Sequence, residues 1–115
     1  LFTMSTQLPT DENGHPIPAL RFAPGGAHVL AVSAASARLG PFAAKTRVIS
    51  LYATGPVYLA TGDATVTAGT SDHFFPAGSY QHISLGGDLQ GRNRHTCLAA
   101  MRADGDCSLY VSEKE

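Results

Sequence analysis

The amino-acid sequence predicts an all-β protein: a single small antiparallel β-sandwich or barrel with an extended, proline-rich N-terminal arm. Apolar and polar side chains alternate in short runs such as residues 47–51, Arg-Val-Ile-Ser-Leu, and a period of two is typical of half-buried strands. Turn-forming Gly, Pro and Asp residues interrupt these runs about every 8–12 residues, a rhythm typical of sandwiches and barrels. Prolines recur in the first part of the chain, at positions 9, 16, 18 and 24.

We expect residues 1–25 to form the arm and residues 26–115 to form the β-sandwich domain. The prolines fix φ and remove backbone donors, so they favour an extended chain. The arm also carries the apolar side chains Ile17, Leu20 and Phe22, which gain free energy when they are buried. We therefore expect the arm to lie across a neighbouring subunit; the alternative is an unattached chain end.

Seven strands are predicted from alternation and from the turns that bound them: 28–33, 46–53, 56–60, 64–68, 79–85, 95–102 and 107–112. The alanine-rich segment 31–39 has room for one helical turn before Gly40-Pro41. The loop 70–76 is expected to be fixed by burial of Phe74 and Phe75. Residues 86–94 are expected to be a polar loop.

The dipeptide Asp104-Gly105 predicts a two-residue hairpin turn, because both central positions of a type I′ turn need positive φ. In that register the last two strands pair, and Cys97 and Cys107 point to opposite faces. We therefore expect two reduced thiols and no disulfide. The final strand is also expected to offer an edge for pairing with another chain.

Composition limits the classes of partner. The 115 residues, enough for one domain, contain 8 Lys plus Arg and 9 Asp plus Glu, for a net charge of −1. This balance gives no basic face for nucleic acid. No apolar run approaches the roughly 18 residues of a membrane span, and the start lacks a signal-peptide pattern, so an intracellular product is expected. Only 15 % of residues are charged, which suggests that much of the surface faces other protein.

Candidate catalytic and metal-binding patterns are weak. The five histidines and two cysteines lack zinc-ligand spacings, and the glycine pairs lack the lysine and helix of a phosphate loop. We therefore expect no metal and no cofactor. Ser71, Asp72 and His73 are adjacent, which prevents the geometry of a catalytic triad, so Asp72 is expected to bond local backbone amides. No nucleophile, base and oxyanion site occur together, and we expect no enzymatic activity.

Several segments resemble small virion proteins of tailed bacteriophages. They are 13–20 (NGHPIPAL), 47–55 (RVISLYATG), 57–64 (VYLATGDA), 70–78 (TSDHFFPAG) and 109–113 (LYVSE). The resemblance implies a small β-sandwich present in many copies of the particle. It leaves open whether the protein is a head decoration protein, a head spike or fibre base, or a connector. The low charge and the proline-rich arm favour a capsid decoration (cement) protein that is made in the host cytoplasm, sits on the capsid surface and binds the major capsid protein and copies of itself.

For such a protein we expect the contact residues to be Ile17, Leu20 and Phe22 of the arm and Asp72, Phe74 and Phe75 of the loop. One alternative is a head spike or fibre module that recognises a host glycan. The absence of Trp and the placement of the four tyrosines within strands weigh against this role. A second alternative is a head–tail connector or tail component, which requires ring symmetry and few copies.

Overall fold

The computed structural model describes residues 12–15 and 20–115, and within these it contains eight strands and no helix. The strands are β1 (Phe22–Val32), β2 (Ala37–Leu39), β3 (Val48–Ala53), β4 (Val57–Gly62), β5 (His73–Phe75), β6 (Tyr80–Ser84), β7 (Cys97–Arg102) and β8 (Cys107–Lys114). They form two four-stranded antiparallel sheets, with the orders β1-β8-β3-β6 and β2-β7-β4-β5. The predicted all-β sandwich class is confirmed.

The core lies between the inward faces of the two sheets. Strand alternation places Ile49 and Leu51 of β3 in one layer. Leu98 of β7 and Val57 of β4 occupy the other layer. All four side chains are 0 % exposed, and burial of each such side chain contributes about 1.5–3 kcal/mol. The alternation read from residues 47–51 therefore matches the inward face of a central strand.

The predicted pairing of the last two strands is wrong. Strand β7 pairs with β2 and β4, whereas β8 pairs with β1 and β3. The segment with Asp104-Gly105 thus crosses from one sheet to the other, and Ala103 N donates to Pro56 O at 3.0 Å on the way. Leu98 and Leu109 both belong to the core, so the two strands supply opposite walls of it instead of lying side by side. Strand β8 is central in its sheet and has no free edge, so the expected edge addition by the final strand is wrong as well.

Three local expectations also differ from the structure. Residues 31–39 contain the end of β1 and all of β2 instead of a helical turn. Residues 64–68 form a loop instead of a strand, because the Asp63 carboxylate accepts hydrogen bonds from the Thr65 amide and hydroxyl and such local bonds compete with a sheet. Residues 73–75 form the short strand β5 within the expected loop.

Strand β1 starts inside the segment expected to be the arm. Phe22 pairs with Lys114, and the register shifts between Phe22 and Ala27, where Gly25 has a φ of 74°. One residue earlier, Arg21 and Glu115 exchange two backbone hydrogen bonds of 3.0 Å. The start of β1 is therefore joined to the end of β8.

Candidate functional site

Three of the four tyrosines lie in one row on the outer face of the sheet β1-β8-β3-β6. Tyr110 of β8 is paired with Tyr52 of β3, and Tyr52 is paired with Tyr80 of β6. Val29 of β1 completes the row, because it is paired with Tyr110. The exposed fractions are 61 % for Val29, 48 % for Tyr110, 38 % for Tyr52 and 54 % for Tyr80. We call these four residues the tyrosine row.

A row of small and polar side chains lies beside the tyrosine row, two residues along each strand. It consists of Ala27, Ser112, Ser50 and His82. Ser50 Oγ and His82 Nδ1 are hydrogen-bonded at 2.6 Å, and the His82 ring meets the Tyr80 ring edge-on with centroids 5.4 Å apart. A serine beside a histidine is one arrangement of an activated nucleophile. Ser50 is only 1 % exposed, however, so its hydroxyl orients the imidazole and does not meet a substrate.

The outward positions around the tyrosine row carry no Asp, Glu, Lys or Arg side chain. These positions are Ala27, Val29 and Ala31 on β1, Ser108, Tyr110 and Ser112 on β8, Val48, Ser50 and Tyr52 on β3, and Tyr80, His82 and Ser84 on β6. The next outward residue of β8 is Lys114, whose Nζ lies 4.0 Å from the centroid of the Phe22 ring. This face is therefore mainly aromatic and hydroxyl-bearing, and its charged side chain is Lys114, which is paired with Val48 and is 8 % exposed.

A second aromatic surface lies on the outer face of the other sheet. Tyr58 of β4 is paired with Phe74 of β5 on one side and with Met101 of β7 on the other. The rings of Tyr58 and Phe74 form a T-shaped contact with centroids 5.9 Å apart, and Phe74 is 58 % exposed. We call these three residues the Phe74 surface. Phe74 is its exposed member, while Tyr58 and Met101 are half-buried.

A cleft of about 220 Å³ lies between the edge strands β5 and β6. It is lined by Leu51, Leu59, Ala60, Thr61, His73, Phe74, Phe75 and Ile83. Pockets for drug-sized ligands and cofactors measure about 300–1,000 Å³. This cleft is smaller and has room for a side chain of a partner protein.

Glu113 of β8 forms a buried polar cluster at one end of the sandwich and is 5 % exposed. Its carboxylate accepts hydrogen bonds from the Ala43 amide (2.8 Å) and the Thr46 hydroxyl (2.7 Å), and lies 2.6 Å from His28 Nε2. Burial raises the pKa of Glu113, but the bonds from His28, Thr46 and Ala43 together outweigh burial and hold the pKa below its ordinary value of 4.5. The ionised carboxylate thus fastens the loop before β3 to β1 and β8.

The arm residues expected to bind a partner are only partly described. Ile17 lies outside the described residues. Leu20 is 55 % exposed and Phe22 is 67 % exposed. Phe22 contacts Lys114 through its ring and belongs to β1. Phe22 is the first residue of β1, and Leu20 lies two residues before it.

The loop residues expected to bind a partner have different environments. Asp72 Oδ2 accepts a hydrogen bond from the Gly69 amide at 2.7 Å, so the expected bond to local backbone is confirmed. Phe75 is 8 % exposed and belongs to the core, whereas Phe74 is exposed. The expectation that both rings are buried is wrong for Phe74, because adjacent residues of a strand point to opposite faces. Phe75, being buried, presents no surface to a partner.

The tyrosine row was not predicted from the sequence, although all four tyrosines lie within predicted strands. Alternation indicates that Tyr52 and Tyr110 point outward, since each follows a buried leucine. It does not indicate which strands are neighbours or how they are aligned. The row depends on the pairing of β8 with β3 and of β3 with β6.

Residues 12–15 and 20–115 contain no group of three or more His, Cys, Asp or Glu side chains placed to hold a metal ion. No helix within the same ranges is long and apolar enough to cross a membrane. Both cysteines are free, Cys97 on β7 and Cys107 on β8, as expected.

Compared with known protein families, curated proteins and solved structures, the chain matches none.

Proposed function

We propose that this protein is a structural component of a tailed-bacteriophage particle, namely a capsid decoration (cement) protein that binds and stabilises the assembled head shell and has no enzymatic activity. The observation that carries the proposal is the exposure of Leu20, Phe22 and Phe74, three of the side chains expected to contact the shell or a sister copy. The resemblance of segments 57–64 and 70–78 to phage virion proteins supports the same role.

The Phe74 surface and the start of β1 supply two separate points of contact. Exposed aromatic side chains are enriched at protein interfaces, because they bury a large area at a low cost in conformational entropy. The cleft between β5 and β6 adjoins Phe74 and offers a space for one apolar side chain of the shell. Contact at two points gives a higher affinity than either point alone.

Stabilisation of the shell follows from mass action. A protein that binds the assembled lattice and not the free subunits shifts the equilibrium toward the lattice, by a free energy that grows with the logarithm of its concentration. No covalent chemistry is required. The decoration protein is expected on the capsid surface, with the major capsid protein and copies of itself as partners.

The first test is binding to purified heads that lack the protein, measured by cosedimentation. We expect Phe74→Ser, and separately the double variant Leu20→Ser/Phe22→Ser, to weaken binding about ten-fold or more, in the range of an interface hot spot. The matched control is Leu89→Ser, because Leu89 is also a surface leucine and is 95 % exposed. Unchanged binding by both test variants would contradict the proposed contacts.

The second test is the copy number in purified virions, measured by quantitative mass spectrometry against the major capsid protein. Hundreds of copies per particle would support decoration of the shell. A ring of roughly a dozen copies or fewer would favour a connector or tail component, because those positions have cyclic symmetry. A few dozen copies would favour a spike or fibre at the vertices, and absence from virions would contradict the proposal.

A further inference from the structure

We propose that the tyrosine row is a carbohydrate-binding surface, on which the rings of Tyr52, Tyr80 and Tyr110 stack against the apolar face of a neutral saccharide. This inference goes beyond decoration of the shell and does not depend on it. The Phe74 surface lies on the opposite face of the sandwich, so docking there leaves the tyrosine row exposed.

The first argument is the arrangement of the rings. One tyrosine comes from each of three adjacent strands, and neighbouring strands lie about 4.8 Å apart. The centroids of the Tyr52 and Tyr110 rings are 6.5 Å apart. Two of the three strands, β3 and β8, are central in the sheet, so their side chains are held on a rigid base. The result is an extended strip of aromatic surface across the sheet.

The second argument is chemical complementarity. A pyranose ring has an apolar C–H face and a rim of hydroxyl groups. The row offers both matching features, because tyrosine combines an apolar ring with a hydroxyl that donates and accepts hydrogen bonds. Beside it, Ser112 and the His82 imidazole, which is oriented by its hydrogen bond with Ser50, place further polar groups within the same face.

The third argument is charge. Single-stranded nucleic acids also stack on aromatic side chains, but their proteins add Lys and Arg for the phosphates. Among the outward positions of this face only Lys114 is charged, and it is 8 % exposed with its Nζ 4.0 Å from the centroid of the Phe22 ring. A neutral ligand therefore fits this face better than a polyanion or a charged protein surface does.

The test uses the full chain on an array of bacterial surface glycans that includes neutral O-antigen, capsule and peptidoglycan fragments. The fragment with the strongest signal is then titrated in solution. Because the chain has no Trp and 4 Tyr, its intrinsic fluorescence comes from tyrosine, and three of the four emitters belong to the row. We expect saturable binding together with a change in tyrosine fluorescence.

Variants then locate the site. Tyr52→Ala and Tyr110→Ala are each expected to weaken binding about ten-fold, the loss of one stacked ring. Tyr52→Phe and Tyr110→Phe keep the ring and are expected to retain most of the affinity. Phe74→Ala on the opposite face is the matched control and should bind normally. Thermal unfolding of every variant shows whether it is folded.

Three results would overturn the proposal. The first is the absence of binding to any neutral glycan on the array. The second is binding that the folded Tyr52→Ala and Tyr110→Ala variants retain in full. The third is a wild-type dimer that these variants convert to a monomer without any glycan binding, which would make the face an interface between two copies of the chain.

Discussion

Among single residues, Glu113 joins several segments of the described chain through one buried carboxylate, which contacts His28, Ala43 and Thr46. A buried carboxylate is costly unless donors surround it, and here the loop before β3 supplies two donors while β1 supplies His28. The cluster joins three segments that are far apart in sequence. A change at this position therefore acts on the loop as well as on the carboxylate.

We expect Glu113→Gln to destabilise the fold by about 1–3 kcal/mol, because the amide nitrogen cannot accept a bond and leaves a buried donor without a partner. Urea unfolding measures the difference. The matched control is Glu115→Gln, since Glu115 forms an ion pair with Arg21 at the surface. Surface ion pairs contribute about 0–1 kcal/mol, so an equal loss in both variants would contradict the role given to Glu113.

Stability should also depend on pH through this residue. The pKa of Glu113 is lowered below 4.5 in the folded protein, so the folded state favours the ionised form more than the unfolded state does. The contribution is fully present above about pH 4.5 and is lost as the pH falls through the folded pKa. Free energies of unfolding between pH 7 and pH 3 should therefore converge for the wild type and Glu113→Gln. A difference that stays constant would exclude this linkage.

Among the strands, β8 shows which features can be predicted from the sequence and which cannot. Its alternation predicts a strand with Leu109 and Val111 on the buried side, as the structure has it. The Asp104-Gly105 dipeptide predicts a local turn but does not determine whether the flanking strands share one sheet. That outcome depends on long-range pairing of β8 with β1 and β3. The prediction of free thiols was right although the pairing used to derive it was wrong.

Hydrogen exchange offers a test of the central position of β8. Amides of β8 and β3 are bonded on both sides of each strand, whereas β5 and β6 are edge strands. We expect the amides of residues 109–113 to exchange at the rate of global unfolding and those of residues 73–75 to exchange much faster. Similar rates in β8 and β5 would contradict the observed strand order.

The tyrosine row was less predictable than the individual strands, because it also depends on long-range strand pairing. The outward phase of Tyr52, Tyr80 and Tyr110 follows from alternation, but their alignment requires the register of three strands that are separated in sequence. Phe74 and Phe75 show a local version of this limit. Recognition of β5 would have assigned one ring to each face, but a three-residue strand gives too short a pattern to detect.

At the scale of the whole molecule, the start of β1 is joined to the end of β8, where residues 21 and 115 are paired. We expect deletion of residues 5–25 to lower the free energy of unfolding, because it removes the backbone bonds between Arg21 and Glu115 and the pairing of Phe22 with Lys114. Urea unfolding of the full and the truncated chain checks this, and equal stability would contradict the structural role of the first β1 residues.

The same junction determines how the molecule responds to mechanical load. Strand β1 lies at the edge of its sheet, and its first bonds join Arg21 to Glu115. A pull on Arg21 directed away from that edge loads the hydrogen bonds one after another, like a zipper, and not all at once. The first residues of β1 would thus separate from β8 at low force, before the load reaches the core residue Val32.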